Sequence, residues 1–278
     1  MKPLAFIPGK KFPSVSITGN KCWLMCSYCR GRYLNAMVHI TSPCELYDFA
    51  EKLVENSGIG MLISGGFTRE GKLPIKPYLN TIKRIKNKYS LILSIHPGLV
   101  SYEEARELGR AGFDIADYEL VLDEQVIRVL KHLDKSPRDY IVSLEALLQS
   151  GIPHVVPHIP IGFTHSDEWV YKAVDLLTSY DLELVVFLVS MSSRPEITKR
   201  VVDILRYARK KLDTEISLGC MRPYRVKEYL DPVVIEEELV DRIVNPLKKH
   251  IKKYKLEIVE ACCSIPRDYV VKLLKTNT

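Results

Sequence analysis

The chain has 278 residues, 46% hydrophobic and 27% charged, with 40 Lys and Arg against 34 Asp and Glu for a net charge of +6. That size suits one globular domain with a sizeable core, and so mild a positive balance argues against a nucleic-acid partner. No apolar run approaches the roughly 18–20 residues of a membrane span, and Met1-Lys2-Pro3-Leu4 does not open an export signal, so the expectation is a cytoplasmic protein without a membrane partner.

Short apolar runs alternate with amphipathic ones along the whole chain. Ser14–Thr18, Gly60–Ser64, Leu91–His96, Ile115–Leu120, His154–Ile159, Leu184–Val189, Glu215–Leu218 and Leu256–Val259 read as strands. Glu45–Asn56, Tyr102–Ala111 and Thr198–Lys211 read as helices, and 123–132 with 137–150 as two helices in one crossover. Thr41-Ser42-Pro43-Cys44-Glu45 and Ser101-Tyr102-Glu103-Glu104 carry capping hydroxyls at two of the helix starts. The pattern predicts an α/β fold: a parallel (β/α)8 TIM-type barrel, closed or incompletely closed, with a doubly wound open sheet as the alternative. One domain is expected over 1–278, with functional loops at the C-terminal ends of the strands.

Seven cysteines, an odd and unevenly clustered set, argue against a disulfide framework and for metal or cluster ligation. Cys22, Cys26 and Cys29 follow the first strand directly with C-x3-C-x2-C spacing, on a loop spanning residues 19–33. Three thiolates on one short loop suit three irons of a cubane [4Fe–4S] cluster and leave the fourth iron open to a ligand. Zinc is the alternative, although it prefers four converging ligands and the nearest ring nitrogen is that of His39. The second strand ends in Ser64-Gly65-Gly66, where missing side chains let backbone approach a ligand.

Cys22, Cys26, Tyr28 and Cys29, in the order Cys-x3-Cys-x-aromatic-Cys after the first strand, resemble the radical SAM superfamily. The resemblance implies that the three cysteines hold a [4Fe–4S] cluster whose open iron takes S-adenosylmethionine, which on one-electron reduction yields a 5′-deoxyadenosyl radical. It also implies that Gly65 and Gly66 help seat the methionyl group. Here Phe67 stands where the family carries Glu. His96, Glu119, His158 and Gly162, at or near the ends of later strands, fall where ribose, adenine or substrate contacts are expected.

Cys220 follows the seventh expected strand, and Cys262-Cys263 follow the eighth. Those strands are expected to be neighbours, about 4.8 Å apart, and in a closed barrel the eighth also borders the first, so the two loops should meet and the late cysteines of segment 219–278 are expected to bind a second iron–sulfur cluster. Cys44, Ser264, Arg222 or a substrate atom are candidates for its fourth ligand. Over most of its length the chain is similar to archaeal biotin synthase homologues, a set that includes subunits of two-component archaeal lipoyl synthases. That likeness implies sulfur insertion at an unactivated C–H of an octanoyl group, with the second cluster as sulfur donor. It further implies an octanoylated carrier protein or small acyl substrate, a second radical SAM subunit and an electron donor such as ferredoxin. Other radical outcomes (methylation, rearrangement, dehydrogenation) and a non-catalytic metal-stabilised binding protein are the competing readings. The basic run Lys248–Lys255 is explained first by the helix macrodipole and second as a docking surface.

Overall fold

Some helices in this chain start where a side chain caps them, and others start without one. In the computed structural model, which describes residues 2–276, the order is β1 (Leu4–Phe6), β2 (Ser14–Ser16), β3 (Val38–His39), α1 (Pro43–Glu55), β4 (Gly60–Ser64), α2 (Leu79–Lys88), β5 (Ile92–Ile95), α3 (Tyr102–Ala111) and β6 (Ile115–Glu119). It continues with α4 (Pro137–Leu148), β7 (His154–Ile161), α5 (Glu168–Leu177), β8 (Leu184–Val189), α6 (Thr198–Lys211), β9 (Glu215–Leu218), α7 (Tyr224–Glu236), β10 (Arg242–Val244), α8 (Lys248–Tyr254), β11 (Ile258–Val259) and α9 (Arg267–Thr276). Ser42 accepts from the Glu45 amide at the head of α1, and Ser101 and Glu104 close a reciprocal capping box on α3. Gly112, at φ 95°, ends α3 in the left-handed region that a Cβ disfavours. Of the expected range 1–278, residues 1, 277 and 278 lie outside the described residues.

Among the described residues the strand pairings are parallel, as an α/β fold built of βα repeats requires. Two compact units make up the chain. One comprises Gly9–Glu119 with Asp123–Val155. Its strands run in the order β6-β5-β4-β2-β3, and β3 pairs on one side only. Met61, Ile63, Leu93 and Ile95 of β4 and β5 are fully buried, as are Leu46, Ile82 and Ile85 on α1 and α2. The segment expected as a helix over 123–132 is instead a π-helical turn, Val126–Leu130, closed by His132 at φ 58°.

The other unit takes the chain up to Pro8, residues 120–122 and everything from Val156 on. Its strands run β7-β8-β9-β10-β1-β11, with β11 at the edge. The sequence reading did not include β1, β3 or β10. These strands have two or three residues each, too few for an alternating pattern, and β10 opens on a charged residue that is here buried. The missed strands overturn one expectation: β9 and β11 are not neighbours, because β10 and β1 lie between them. Nor does the last strand border the one before the first cysteines, since β11 pairs with β1 while β2 pairs with β3 and β4.

This unit also buries a charge cluster. Arg222 is enclosed entirely: Nε meets Asp231 Oδ1 at 3.1 Å, Nη2 donates to Val244 O at 2.9 Å, and Nη1 reaches the carbonyls of Leu218 and Gly219. Such a guanidinium is spent on the loop that carries Cys220, so Arg222 is not free to ligate a metal. Asp231→Ala should leave that cation buried without its carboxylate, a loss of about 3–5 kcal/mol. A urea melt should show it as a lowered midpoint, and an unshifted midpoint would refute the account.

Candidate active site

In the first unit the loop after β2 is clasped to the loop after β4. The Thr18 hydroxyl accepts from the Gly66 amide at 2.7 Å and donates to Lys21 O at 2.8 Å. Amides of Trp23 and Leu24 both donate to Phe67 O, at 3.0 and 3.1 Å. Gly66 has no alternative here. A Cβ on it would overlap the Lys21 carbonyl and come within 2.7 Å of Cys22 Cβ. The glycine pair therefore serves the packing of the cysteine loop first, which leaves its seating of a methionyl group as expectation.

Within the loop, Cys29 and Arg30 amides donate to Cys26 O at 3.1 and 2.8 Å, and Met25 and Arg30 take positive φ values of 49° and 47°. This tight turn brings the Cys26 thiol into a hydrogen bond with Cys29. Accepting from Cys26, and also from the Gly31 backbone, lowers the Cys29 pKa to about 6 despite burial. Donating to Cys29, with burial second, drives Cys26 far upward. Cys22 follows the clasp directly and is half-buried.

A second grip comes from the π-helical turn and the residues after it. Ser27 donates its amide to Leu130 O at 2.8 Å, and its hydroxyl lies 3.0 Å from His132 Nε2. Between those two contacts Lys131 is buried and ion-paired with Glu119, and its ammonium stands 5.7 Å from the Tyr140 ring centroid. Burial alone would lower the Lys131 pKa. Glu119, followed by Tyr140, Tyr28 and Cys26, outweighs it and raises the lysine well above its usual range. Burial, then Glu119, raises the Tyr28 hydroxyl in the same way. Glu119 was expected at a ribose; here it is the counter-ion of a buried cation.

Next to these, Ser64, Ser94, His96 and Asp117 make a polar chain across β4, β5 and β6. Ser64 Oγ lies 3.4 Å from His96 Nδ1, His96 Nε2 lies 4.0 Å from Asp117, and Ser94 donates to the same Asp117 oxygen. Neither Asp117 nor Lys131 was picked out from sequence. The signal available for Asp117 was its place two residues before Glu119 on one strand, which puts both on the same face. Lys131 stands with Arg128 and His132 among apolar residues, a pattern that a surface lysine would also show.

The remaining expected residues belong to the second unit. His158 is buried, with Nδ1 2.9 Å from Val156 O on its own strand. Gly162, at φ 84°, turns the chain after β7, and its amide reaches Asp167 Oδ1 at 3.5 Å. Cys220 follows β9, and Cys262 and Cys263 follow β11. Despite the two intervening strands, Cys220 and Cys263 lie within each other's electrostatic reach. Surrounding protein, then the Cys263 thiol, pushes Cys220 up to about 11 although solvent can touch it. A buried arginine fixes the second late loop as well: Arg242 on β10 donates to Cys263 O at 2.5 Å and Ile265 O at 2.6 Å and pairs with Glu215. Cys44 is exposed at the start of α1. Two lysines of the basic run 248–255 are paired, Lys249 with Glu228 and Lys253 with Glu236, which weakens it as a docking patch.

Among the described residues no group of three or more His, Cys, Asp or Glu side chains is placed to hold a single metal ion. His39, the ring nearest the first cysteines in sequence, has Nε2 2.9 Å from Leu34 O. A cubane asks for something else, namely one thiolate on each of several irons. Three thiols on one clasped loop, two already in contact, fit that demand.

The profile of the Radical SAM superfamily matches residues 16–177, and the chain belongs to that superfamily, which implies a [4Fe–4S] cluster and S-adenosylmethionine. Among solved structures the chain is similar to methylornithine synthase (PylB), at 14% identity and a TM-score of 0.58 over 99% of this chain and 82% of that one. It is also similar to the FeFe-hydrogenase maturase HydG from Carboxydothermus hydrogenoformans (15% identity, TM-score 0.60, 99% and 66% covered) and to SuiB from Streptococcus suis (13%, 0.56, 83% and 52%). At those identities the likeness shows the fold. The chain spans just under two thirds of HydG's length and about half of SuiB's. No curated protein sequence matches it. Among the described residues no helix is long and apolar enough to cross a membrane.

Two outcomes follow for the metal-free chain. Because its pKa is lowered, Cys29 should alkylate with half-maximal rate near pH 6 rather than 9, read by mass spectrometry. The stability tied to that shift is complete above pH 9 and is lost as pH falls through 6. Gly66→Ala should prise the loops apart and cut the iron retained after reconstitution by more than half, while far-UV circular dichroism stays unchanged.

Proposed function

We propose that this radical SAM enzyme inserts sulfur at an unactivated C–H of an acyl chain, with an octanoyl group on a carrier protein as the substrate class. Cys22, Cys26 and Cys29 hold the catalytic cluster, and Cys220, Cys262 and Cys263 hold a second one that gives up sulfide. The observation that supports the second assignment is that Cys220 and Cys263 stand within electrostatic reach of each other on two loops that buried arginines hold in place. When bound, the first cluster and S-adenosylmethionine supply one-electron cleavage to a 5′-deoxyadenosyl radical. The chain's own part is positional. Thr18, Gly66 and Phe67 fix the cysteine loop, and Lys131 sets a positive charge beside thiolates that become anionic on ligation. Tyr28, Ser64, Gly65, Gly66 and His96, all in the unit that carries the first cysteines, remain the proposed cofactor contacts. A second radical SAM subunit and a ferredoxin-like donor complete the proposed system.

Iron and acid-labile sulfide after anaerobic reconstitution test this reading. About eight irons per chain in the wild type, about four in a Cys22/Cys26/Cys29→Ala variant, and sulfide lost during turnover are expected for two [4Fe–4S] clusters. Cys220→Ala should keep S-adenosylmethionine cleavage within twofold and abolish sulfur insertion. About four irons falling to none, or product surviving in Cys220→Ala, would remove the sulfur donor and leave a radical SAM enzyme of another outcome.

A further inference from the structure

Charge is distributed unevenly along this chain. Residues 1–44 hold six of the 40 Lys and Arg and not one Asp or Glu, so the other 34 cations balance all 34 acids. The entire net charge of +6 therefore belongs to the segment that ends just past the cysteine loop. Lys2 is turned to Tyr254 O, and Lys10 and Lys11 precede β2. Lys21, Arg30 and Arg32 remain, all exposed, on the loop itself. The backbone brings them near one another: a Cβ on Gly31 would lie 3.6 Å from Cys22 Cβ and 3.9 Å from Asn20 O, so the turn that carries Arg30 and Arg32 lies against the segment that carries Lys21.

The same face carries apolar surface. Trp23 is 52% exposed and Met25 48%, although they flank the buried Leu24 and Cys26. Val129, 58% exposed, is on the turn that grips Ser27. Aromatic, methionine and arginine side chains are the residues enriched in protein interfaces, and an exposed tryptophan between cations has no solvation reason to be there. Carboxylates facing this loop are engaged by cations: Glu119, which acts on Cys26 and Cys29, pairs with Lys131, and Asp134, just past the turn, pairs with Arg128 at 3.3 Å. Lys21, Arg30 and Arg32 make this segment positive, and a self-complementary contact with a second copy of the chain would bring like charges together.

We propose that Lys21, Trp23, Met25, Arg30 and Arg32 form the docking surface of a small acidic one-electron carrier protein. This rests on the reading that Cys22, Cys26 and Cys29 hold the cluster. One electron leaves the carrier, enters the cluster and is consumed in cleaving S-adenosylmethionine, and the carrier departs oxidised by one electron. Docking on the outer face places the donor against the backbone that bears the ligating thiols.

The test compares two reductants on the reconstituted holoenzyme, reading 5′-deoxyadenosine formed per minute. One is an acidic [2Fe–2S] ferredoxin, kept reduced; the other is dithionite, too small to need a docking face. Charge complementarity accelerates association by roughly 10–10³-fold and fades with salt. Lys21→Glu/Arg30→Glu/Arg32→Glu should therefore slow the ferredoxin-driven rate at least tenfold at low salt and erase its salt dependence. The dithionite-driven rate and the iron content should stay within twofold, and Trp23→Ala should weaken the ferredoxin-driven rate alone. An unchanged ferredoxin-driven rate in the reversed variant would overturn the docking surface while leaving the cluster assignment intact. A loss that instead requires an acidic acyl-carrier substrate, equal with both reductants, would assign the face to the substrate carrier and also overturn it. A wild-type chain that binds no iron would fail earlier, at the cysteine reading itself.

Discussion

The clasp between the loops after β2 and β4 is the constraint on which the candidate site depends. Its parts are small: one hydroxyl that accepts and donates, one carbonyl that receives two amides, and one glycine whose missing Cβ is filled by the neighbouring loop. Each hydrogen bond contributes about 1 kcal/mol net, so energy is not what they mainly provide. They fix direction. With Lys21 to Leu24 held, the tight turn at Cys26 has one place to go, and the second grip from Leu130 and His132 catches the loop on its far side.

Both units use buried cations as struts, and in both the cost is met by pairing. Desolvating a lysine or arginine costs several kcal/mol unless carboxylates and carbonyls compensate. Lys131 has Glu119 and an aromatic face. Arg222 has Asp231 and three carbonyls, and Arg242 has Glu215 and two. A hydrophobic residue of similar size would stabilise as well, but it could not bind carbonyl oxygens at chosen points along a loop. The arginines exchange generic burial for loop shape, and the loops so shaped are those carrying Cys220 and Cys263.

Much of this was legible in the sequence. The helices α3 and α6 begin and end where capping and periodicity placed them, and the Cys-x3-Cys-x2-Cys loop stands directly after its strand. Strands β1, β3 and β10 were not legible, because two or three residues carry no alternation, and Arg242 at the head of β10 reads as surface until its carbonyl partners are known. That omission produced the mistaken adjacency of β9 and β11. Glu119 was found as a strand-end acid but given a ligand as its partner, since nothing near it in sequence announced Lys131, 12 residues on. Residues that act by contact across long separations leave no local trace.

The buried arginines of the late loops have one further consequence. Arg222 and Arg242 grip backbone carbonyls and not side chains, so the shapes of the loops after β9 and β11 are set by the protein's own ion pairs. Neither loop has to be moulded by what it comes to hold: Arg222 with Asp231 and Arg242 with Glu215 are the frame, and a substitution at Cys220 or Cys263 would change what the frame carries without taking the frame away.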